Sequence, residues 1–373
     1  MMITPRASLL TIFSGMVLAA LLAVAPAGLG VRTAAEKLPL RLTNQEFWKL
    51  ASGFSEPSGS FHSDNLVSNE ANFQYVLPAL VRAAKPGRAY LGVGSEQNFT
   101  YMAALRPEVA FIIYIRRGNM DLHLMYKALF ELSADRADFV SRLFSKKRPA
   151  GLTTASTAAE IFAAYANMPS SQTLYAQNLK AIDTQLVTTH GFALSKGDLE
   201  GIEFVYDAMF TSGPAIHYQL NTGGGGFGRG GGGNLPTYAD LMAATDGNGQ
   251  ARSYLASEGS FKFLKDIETR NMVVPVVGNF GGPKAIRAVA AYLKQKETIV
   301  SAFYVSNVEQ YLRQDGLWSI FCSNVTTLPL DATSTFIRSN RGSFGGQMRG
   351  FSPVFTSEVR PVSGDVANCS EAR

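Results

Sequence analysis

A glycine-containing turn after a short apolar segment is the first place in this sequence that could bind a ligand. The segment 89–93 is apolar, and four residues of the following turn could contact a ligand: Gly92, Gly94, Ser95 and Glu96. Glycine lets the backbone turn sharply and lets a ligand approach the N–H groups that begin the next helix. The pattern predicts that residues 92–98 bind a nucleotide-type ligand. A purely structural turn is the alternative.

Two arginines, Arg116 and Arg117, follow the next apolar segment, residues 109–115. In a nucleotide-binding unit this is where a side chain that contacts the ribose is expected. Adjacent guanidinium groups favour a phosphate, sulfate or carboxylate instead. The alternative is a solvated strand end.

Other polar groups also lie at expected edges of strands. A short run before the first apolar segment predicts either a substrate-lined cleft or helix caps; it contains Asp64, Asn65, Asn69 and Glu70. Further candidates follow later apolar segments, namely Asn279, Ser306, Asn307, His217 and Tyr218. In open α/β sheets a ligand lies outside the carboxyl ends of the strands. We therefore expect five residues to converge on one crevice: Gly94, Arg116, Asn279, Ser306 and Asn307. Asn279 is assigned to the cofactor side, and the other candidates of this paragraph are assigned to the substrate.

Several kinds of site are not indicated. The four histidines, at positions 62, 123, 190 and 217, lack metal-ligand spacing, so no metal is predicted. No G-x-S-x-G elbow occurs. The glycine run 223–233 lacks the Lys-Ser/Thr ending of a P-loop, which favours a flexible surface loop, with a mobile lid as the alternative. A net charge of +5 without a basic block gives no sign of nucleic-acid binding.

The elements that must position these residues alternate along the chain. Five apolar segments predict strands at 89–93, 109–115, 272–277, 298–305 and 335–338. Helical patterns separate them, which predicts an α/β, Rossmann-like, mostly parallel sheet flanked by helices. The domain spans residues 61–340, with a helical insertion at about 133–210. Few apolar residues follow, so 341–373 is predicted to be a disordered tail.

The N-terminus resembles a targeting segment. Arg6 precedes an apolar run, 9–25, and small residues stand at Ala25 and Ala27. Residues 1–27 are therefore a signal peptide or, alternatively, an uncleaved membrane anchor. A linker and N-terminal segment, 28–60, follows, and it contains one amphipathic piece at Asn44 to Leu50. The pattern predicts an exported protein, either periplasmic or anchored with its body facing the periplasm, that contacts membrane only through this segment if it is uncleaved.

Several longer strings carry a family resemblance. Residues 62–145 and 272–338 resemble an uncharacterised bacterial family with a Rossmann-like domain, itself distantly similar to class I S-adenosylmethionine-dependent methyltransferases. The strings are SDNLVSNE (63–70), GVGSEQNFT (92–100), YKALFEL (126–132), VVGNFGGPK (276–284) and AFYVSNVEQY (302–311). The resemblance implies a methyltransferase-like domain with S-adenosylmethionine as the cofactor to consider.

The sequence departs from the methyltransferase pattern in three places. Tyr90 stands where such enzymes usually have an acid, Glu96 replaces a third glycine, and Arg116 follows the second strand in place of an acid. Two functions therefore stay open. One is a methyltransferase-like protein that binds an adenosyl ligand, and the other is a non-catalytic envelope protein that binds an anionic metabolite or a protein partner.

Overall fold

All five apolar segments predicted to be strands lie in one sheet of six strands. The computed structural model describes residues 37–218, 235–341 and 355–364. The predicted signal segment 1–27 and the glycine run 223–233 lie outside these residues. Described residues all belong to one compact unit, 35–373. The strands are β1 (Ala89–Gly92), β2 (Val109–Tyr114), β3 (Val273–Val277), β4 (Val300–Ser306), β5 (Thr335–Arg341) and β6 (Phe355–Pro361).

The spatial order of the strands is β3-β2-β1-β4-β5-β6. The first five are parallel, and β6 pairs with β5 in the antiparallel sense. Strands β1 to β3 are buried along their whole length, as expected for a sheet with helices on both faces. The chain order reverses between β1 and β4, which makes their carboxyl ends the switch point of the sheet. The predicted α/β, Rossmann-like, mostly parallel sheet is confirmed.

Helices follow the strands and fill the long connection between β2 and β3. They are α1 (Asn44–Phe54), α2 (Leu77–Ala83), α3 (Gln97–Leu105), α4 (Arg117–Leu132), α5 (Arg136–Leu143), α6 (Ala158–Ala166), α7 (Gln172–Asp183), α8 (Lys196–Ser212), α9 (Tyr238–Ala243), α10 (Glu258–Thr269), α11 (Ala285–Gln295), α12 (Val308–Gln314) and α13 (Trp318–Val325). The stretch 133–210 contains α5 to α7 and most of α8. Within the part of the chain that the structure describes, no helix has both the length and the apolar character to cross a membrane.

The segment predicted as a linker is in part a structural helix. A capping box of Thr43 and Glu46 begins α1, and such a box satisfies backbone N–H groups at the start of a helix. Phe47 and Ala51 are completely buried, and the Phe47 ring stacks on Phe192 with centroids 4.9 Å apart. The apolar face of α1 is therefore part of the core. The amphipathic piece expected at 44–50 is a helix that extends to residue 54 and packs on the domain.

The C-terminal segment also differs from expectation. Residues 355–361 form β6, which pairs with β5 over seven positions from Thr335–Pro361 to Arg341–Phe355. A strand of this kind is held by main-chain hydrogen bonds to its neighbour, which a local sequence pattern does not reveal. The predicted disordered tail is thus corrected for residues 355–361.

Candidate functional site

A cavity of about 800 Å³ opens at the carboxyl ends of the strands, at the switch point between β1 and β4. The turn after β1, the ends of β2, β3 and β4, and helix α12 form its walls together with the segment 60–70. This is where open α/β sheets bind ligands. The convergence that the sequence predicts therefore occurs, although not every predicted residue takes part.

The turn after β1 is held in a conformation that requires glycine. Gly94 lines the cavity with a φ of +81°, which L side chains rarely adopt. Its carbonyl oxygen accepts hydrogen bonds from Asn119 Nδ2 at 2.9 Å and from His123 Nε2 at 2.8 Å. Burial lowers the pKa of His123 to about 4, so the ring is neutral and donates through Nε2. Helix α4 thus fixes the turn from behind.

Gly92 lies in the same turn but does not line the cavity. A Cβ at this position would lie 1.9 Å from Asn98 Oδ1. Asn98 accepts a hydrogen bond from the Tyr90 hydroxyl at 2.9 Å and donates to the carbonyl groups of Val93 and Ser95. Gly92 is therefore needed for close packing against Asn98, which corrects its predicted place among ligand-binding residues.

Glu70 is the centre of a hydrogen-bond network at the cavity wall. Its Oε1 accepts from the Tyr304 hydroxyl at 2.7 Å and from Ser306 Oγ at 2.6 Å. Its Oε2 accepts from Gln97 Nε2 at 2.9 Å and from Ser357 Oγ at 3.3 Å. The donors come from β4, α3 and β6, so three elements distant in sequence hold one carboxylate in place.

Glu96 points into the interior and not into the cavity. Its side chain is completely buried, and Oε1 accepts from the backbone N–H of Ser68 at 3.1 Å. Its Oε2 has no partner among the described residues. Burial raises the pKa of Glu96 to about 7, because desolvation disfavours the charged form. The structure thus corrects the placement predicted for Glu96.

The two arginines predicted to bind an anion are engaged with carboxylates outside the cavity lining. Arg116 lies 2.8 Å from Asp64 Oδ1 through Nη2 and donates to the Ser63 carbonyl at 2.7 Å. Arg117 Nε donates to Asp198 Oδ1 at 2.7 Å. Neither arginine nor Asp64 lines the cavity. These ion pairs depend on tertiary contacts, and they hold both arginines outside the crevice that the sequence predicts for Arg116.

One side of the cavity is aromatic. We call Phe61, His62, Tyr114, Tyr218 and Tyr311 the aromatic wall, since all five line the cavity. The Phe61 ring makes edge contacts with Tyr311 at 5.3 Å and Tyr114 at 6.1 Å between centroids, and His62 lies 6.0 Å from Tyr311. Burial raises the pKa of Tyr114 and of Tyr218, so both are neutral phenols.

Comparison with known protein families identifies the family to which the chain belongs. A family described as a domain of unknown function, DUF7790, matches residues 65–362, which is most of the chain. The chain belongs to the DUF7790 family. No curated protein matches it.

The DUF7790 domain brings nine of the predicted site residues to the cavity: Gly94, Ser95, Asn279, Asn65, Asn69, Glu70, Tyr218, Ser306 and Asn307. His217 does not line it, and its only strand-like feature is an isolated bridge to Thr237. Asn279 lies at the end of β3, where its Oδ1 accepts from the Gly281 N–H at 2.9 Å. Strand-end position was therefore a useful criterion, but it did not indicate which way each side chain points.

Sequence reasoning missed several lining residues. The largest omissions are Ser68, Gln97, Tyr304 and most of the aromatic wall. Tyr304 had a usable signal, because it stands two residues before Ser306 on β4 and alternate residues of a strand share a face. Apart from Tyr218, which was predicted, the aromatic wall was missed because its members come from segments distant in sequence. Among the described residues there is no group of three or more His, Cys, Asp or Glu that could hold a metal ion.

Proposed function

We propose that this DUF7790 domain binds a small nucleoside-type molecule without phosphate groups, an adenosyl compound above all. The observation that carries the proposal is the cavity itself, which combines the Gly94 turn at the switch point with neutral polar and aromatic lining. Purine and ribose groups need such a combination, because the base packs on apolar or aromatic surface while hydroxyl groups need hydrogen-bonding partners. S-adenosylmethionine is the first compound to test, because the family resemblance points to it.

Two amide side chains support binding of a polar ligand. Asn69 and Asn307 line the cavity, and neither side chain makes a hydrogen bond with the described residues. Their donors and acceptors are therefore available to ribose hydroxyls or ring nitrogens. An anionic metabolite is less favoured, because no Lys or Arg occurs among the described lining residues.

Isothermal titration calorimetry tests the proposal. Adenosine, S-adenosylmethionine and S-adenosylhomocysteine should bind, whereas ATP and simple anions should bind at least about tenfold more weakly. Asn69→Ala and Asn307→Ala should each weaken adenosyl binding by about tenfold, the cost of one or two hydrogen bonds. Gln177→Ala, at an exposed position of α7, is the matched control. Absence of binding by every adenosyl compound would refute the proposal, as would equal effects of Asn69→Ala and Gln177→Ala.

We also propose that the chain is exported, on the basis of the apolar run 9–25 and of Ala25 and Ala27. Cell fractionation followed by N-terminal sequencing tests this. A mature chain that begins near residue 28 in the periplasmic fraction is the expected result. A cytoplasmic species that begins at Met1 would contradict it.

A further inference from the structure

The charged side chains that line the cavity are acidic. Glu70 lies in the wall and Asp315 at the end of α12, whereas the described lining contains no Lys or Arg. The arginines nearest in sequence to the end of β2 are paired with Asp64 and Asp198. The described lining residues therefore contribute negative charge to the cavity, and a ligand that carries a positive charge would gain from it.

Glu70 has four hydrogen bonds but no counter-ion among the residues that the structure describes. Two donors reach each of its oxygens, and the hydroxyl and amide groups that supply them are all uncharged. A carboxylate has about four acceptor sites, so this arrangement suits the ionised group. Its residue is 2% exposed and forms no ion pair with the described part of the chain. A buried charge without a partner is costly, and a cation in the adjoining cavity would remove that cost.

The aromatic wall is a second feature that favours a cation. The faces of aromatic rings are negative, and groups such as quaternary ammonium bind against several rings at once. Four of the five members are Phe or Tyr. Burial raises the pKa of Tyr114 and of Tyr218, so these two rings carry no negative charge. Phe61 and its two edge-on neighbours fix the relative positions of three of these rings.

We propose that the ligand of this cavity carries an organic cation, a sulfonium or alkylated ammonium group, with Glu70 as its counter-ion and the aromatic wall as its packing surface. This inference deepens the proposed nucleoside-type function and rests on it. Glu70 acts here as the residue that determines charge selectivity.

A matched pair of probes tests the inference. The two compounds are 5′-deoxy-5′-(dimethylsulfonio)adenosine, a cation, and 5′-deoxy-5′-(methylthio)adenosine, its neutral analogue with one methyl group fewer. Calorimetry on the full chain should show the sulfonium binding at least about tenfold more tightly. Glu70→Gln should abolish this preference while the thioether binds as before. Glu108→Gln, at an exposed position, should leave the preference intact.

The outcomes separate this inference from the proposed function. Equal binding of the two compounds would overturn the cation inference and leave the nucleoside-type function in place. If neither compound binds, the proposed function fails, and choline against its neutral isostere 3,3-dimethylbutan-1-ol then decides the inference. A preference for choline that Glu70→Gln removes would support it, and no preference or no binding would overturn it. If Glu70→Gln does not fold, the comparison on the unmodified chain decides.

Discussion

Gly92 and Gly94 are two residues apart in one turn, yet the structure requires glycine at each for a different reason. Gly94 has a left-handed backbone and faces the cavity, whereas the space for a side chain at Gly92 is occupied by Asn98. Asn98 in turn joins β1 to the turn through Tyr90, Val93 and Ser95. A G-x-G pattern therefore combines one packing residue with one residue of the ligand site.

Gly92→Ala is expected to destabilise the protein by about 3 kcal/mol, because the new methyl group overlaps Asn98 and breaks its hydrogen bond with Tyr90. Gly53→Ala is the matched control, since Gly53 lies in α1 with nothing within 4 Å of an added Cβ. It should be neutral or stabilising by up to about 1 kcal/mol. Urea unfolding measures both. Equal stability of the two variants would show that the Asn98 side chain can move away from the added methyl group at little cost in free energy.

Glu96 should make stability depend on pH. Its pKa is about 7 in the folded protein against an ordinary value of 4.5, so the folded state holds a proton that the unfolded state has lost. Stability from this group is thus present below about 4.5 and is lost as pH rises through about 7. Glu96→Gln keeps a neutral side chain, so the fall in stability between pH 5 and pH 8 should shrink by about 2 to 3 kcal/mol.

Urea unfolding of Glu96→Gln and the unmodified chain at both pH values gives this difference. His123 contributes equally to the pH dependence of both chains, so its contribution cancels in the comparison. Its lowered pKa of about 4 makes stability fall as pH decreases below about 6.5, which is the opposite sense to Glu96. Glu108→Gln, exposed on the surface, should leave the pH dependence as it is. An unchanged slope in Glu96→Gln would mean that the Glu96 carboxyl is ionised when folded.

At the scale of elements, β6 links the C-terminal part of the chain to the candidate site. It pairs with β5 along its length, and Ser357 Oγ donates to Glu70 Oε2 across 287 residues of sequence. The segment that the composition suggests is a loose tail therefore completes the sheet and one side of the Glu70 network.

Two truncations isolate the contribution of β6. Chains that end at residue 354 and at residue 364 both lack 365–373, and they differ by β6 and the three residues after it. The shorter chain should melt at least about 5 °C lower, on the order of 2 kcal/mol, and should bind adenosyl compounds more weakly. Differential scanning calorimetry and titration measure the two effects. Equal melting temperatures would show that β5 is stable as the edge of the sheet.

At the scale of the whole molecule, the structural unit begins before the family match. The match starts at residue 65, but α1 packs Phe47 and Ala51 into the core. The segment after α1 crosses the ends of β3 and β2, where the N–H of Glu56 donates to Val277 O at 2.8 Å and that of Gly59 to Ile115 O at 2.9 Å. The Glu56 carboxylate accepts hydrogen bonds from the N–H of Asn279, after β3, and from those of Lys284 and Ala285 at the start of α11. A carboxylate at a helix N-terminus is stabilising.

A chain of residues 37–373 should therefore fold with the melting temperature of the longer chain, whereas residues 65–373 should not fold stably. The loss includes one fully buried Phe, worth about 3 to 5 kcal/mol, and the Glu56 contacts. Circular dichroism with thermal unfolding compares the two chains. A cooperative transition of 65–373 at the same temperature would show that α1 is dispensable.

The sequence by itself determined the strands of the sheet and many of the residues at their carboxyl ends. Strands β1 to β4 are near-continuous apolar runs because both of their faces are covered, and this signal is local. Residues that follow these runs, such as Gly94, Asn279 and Ser306, lie at the cavity because they stand at the carboxyl ends of the strands. Parallel strands bring their carboxyl ends to one edge wherever they lie in the sequence.

Only the tertiary structure decided which of these groups face the cavity. The sequence suggests that Arg116 and Arg117 are available to bind an anion, but Asp64 and Asp198 form ion pairs with them in the fold. In the sequence, Glu70 was one of several polar residues that could line a cleft or cap a helix, and in the fold donors from β4, α3 and β6 converge on it. Such contacts join residues tens to hundreds of positions apart, and a local pattern contains no record of them. The charge of the cavity is therefore a property of the fold, because it depends on which arginines are already paired elsewhere.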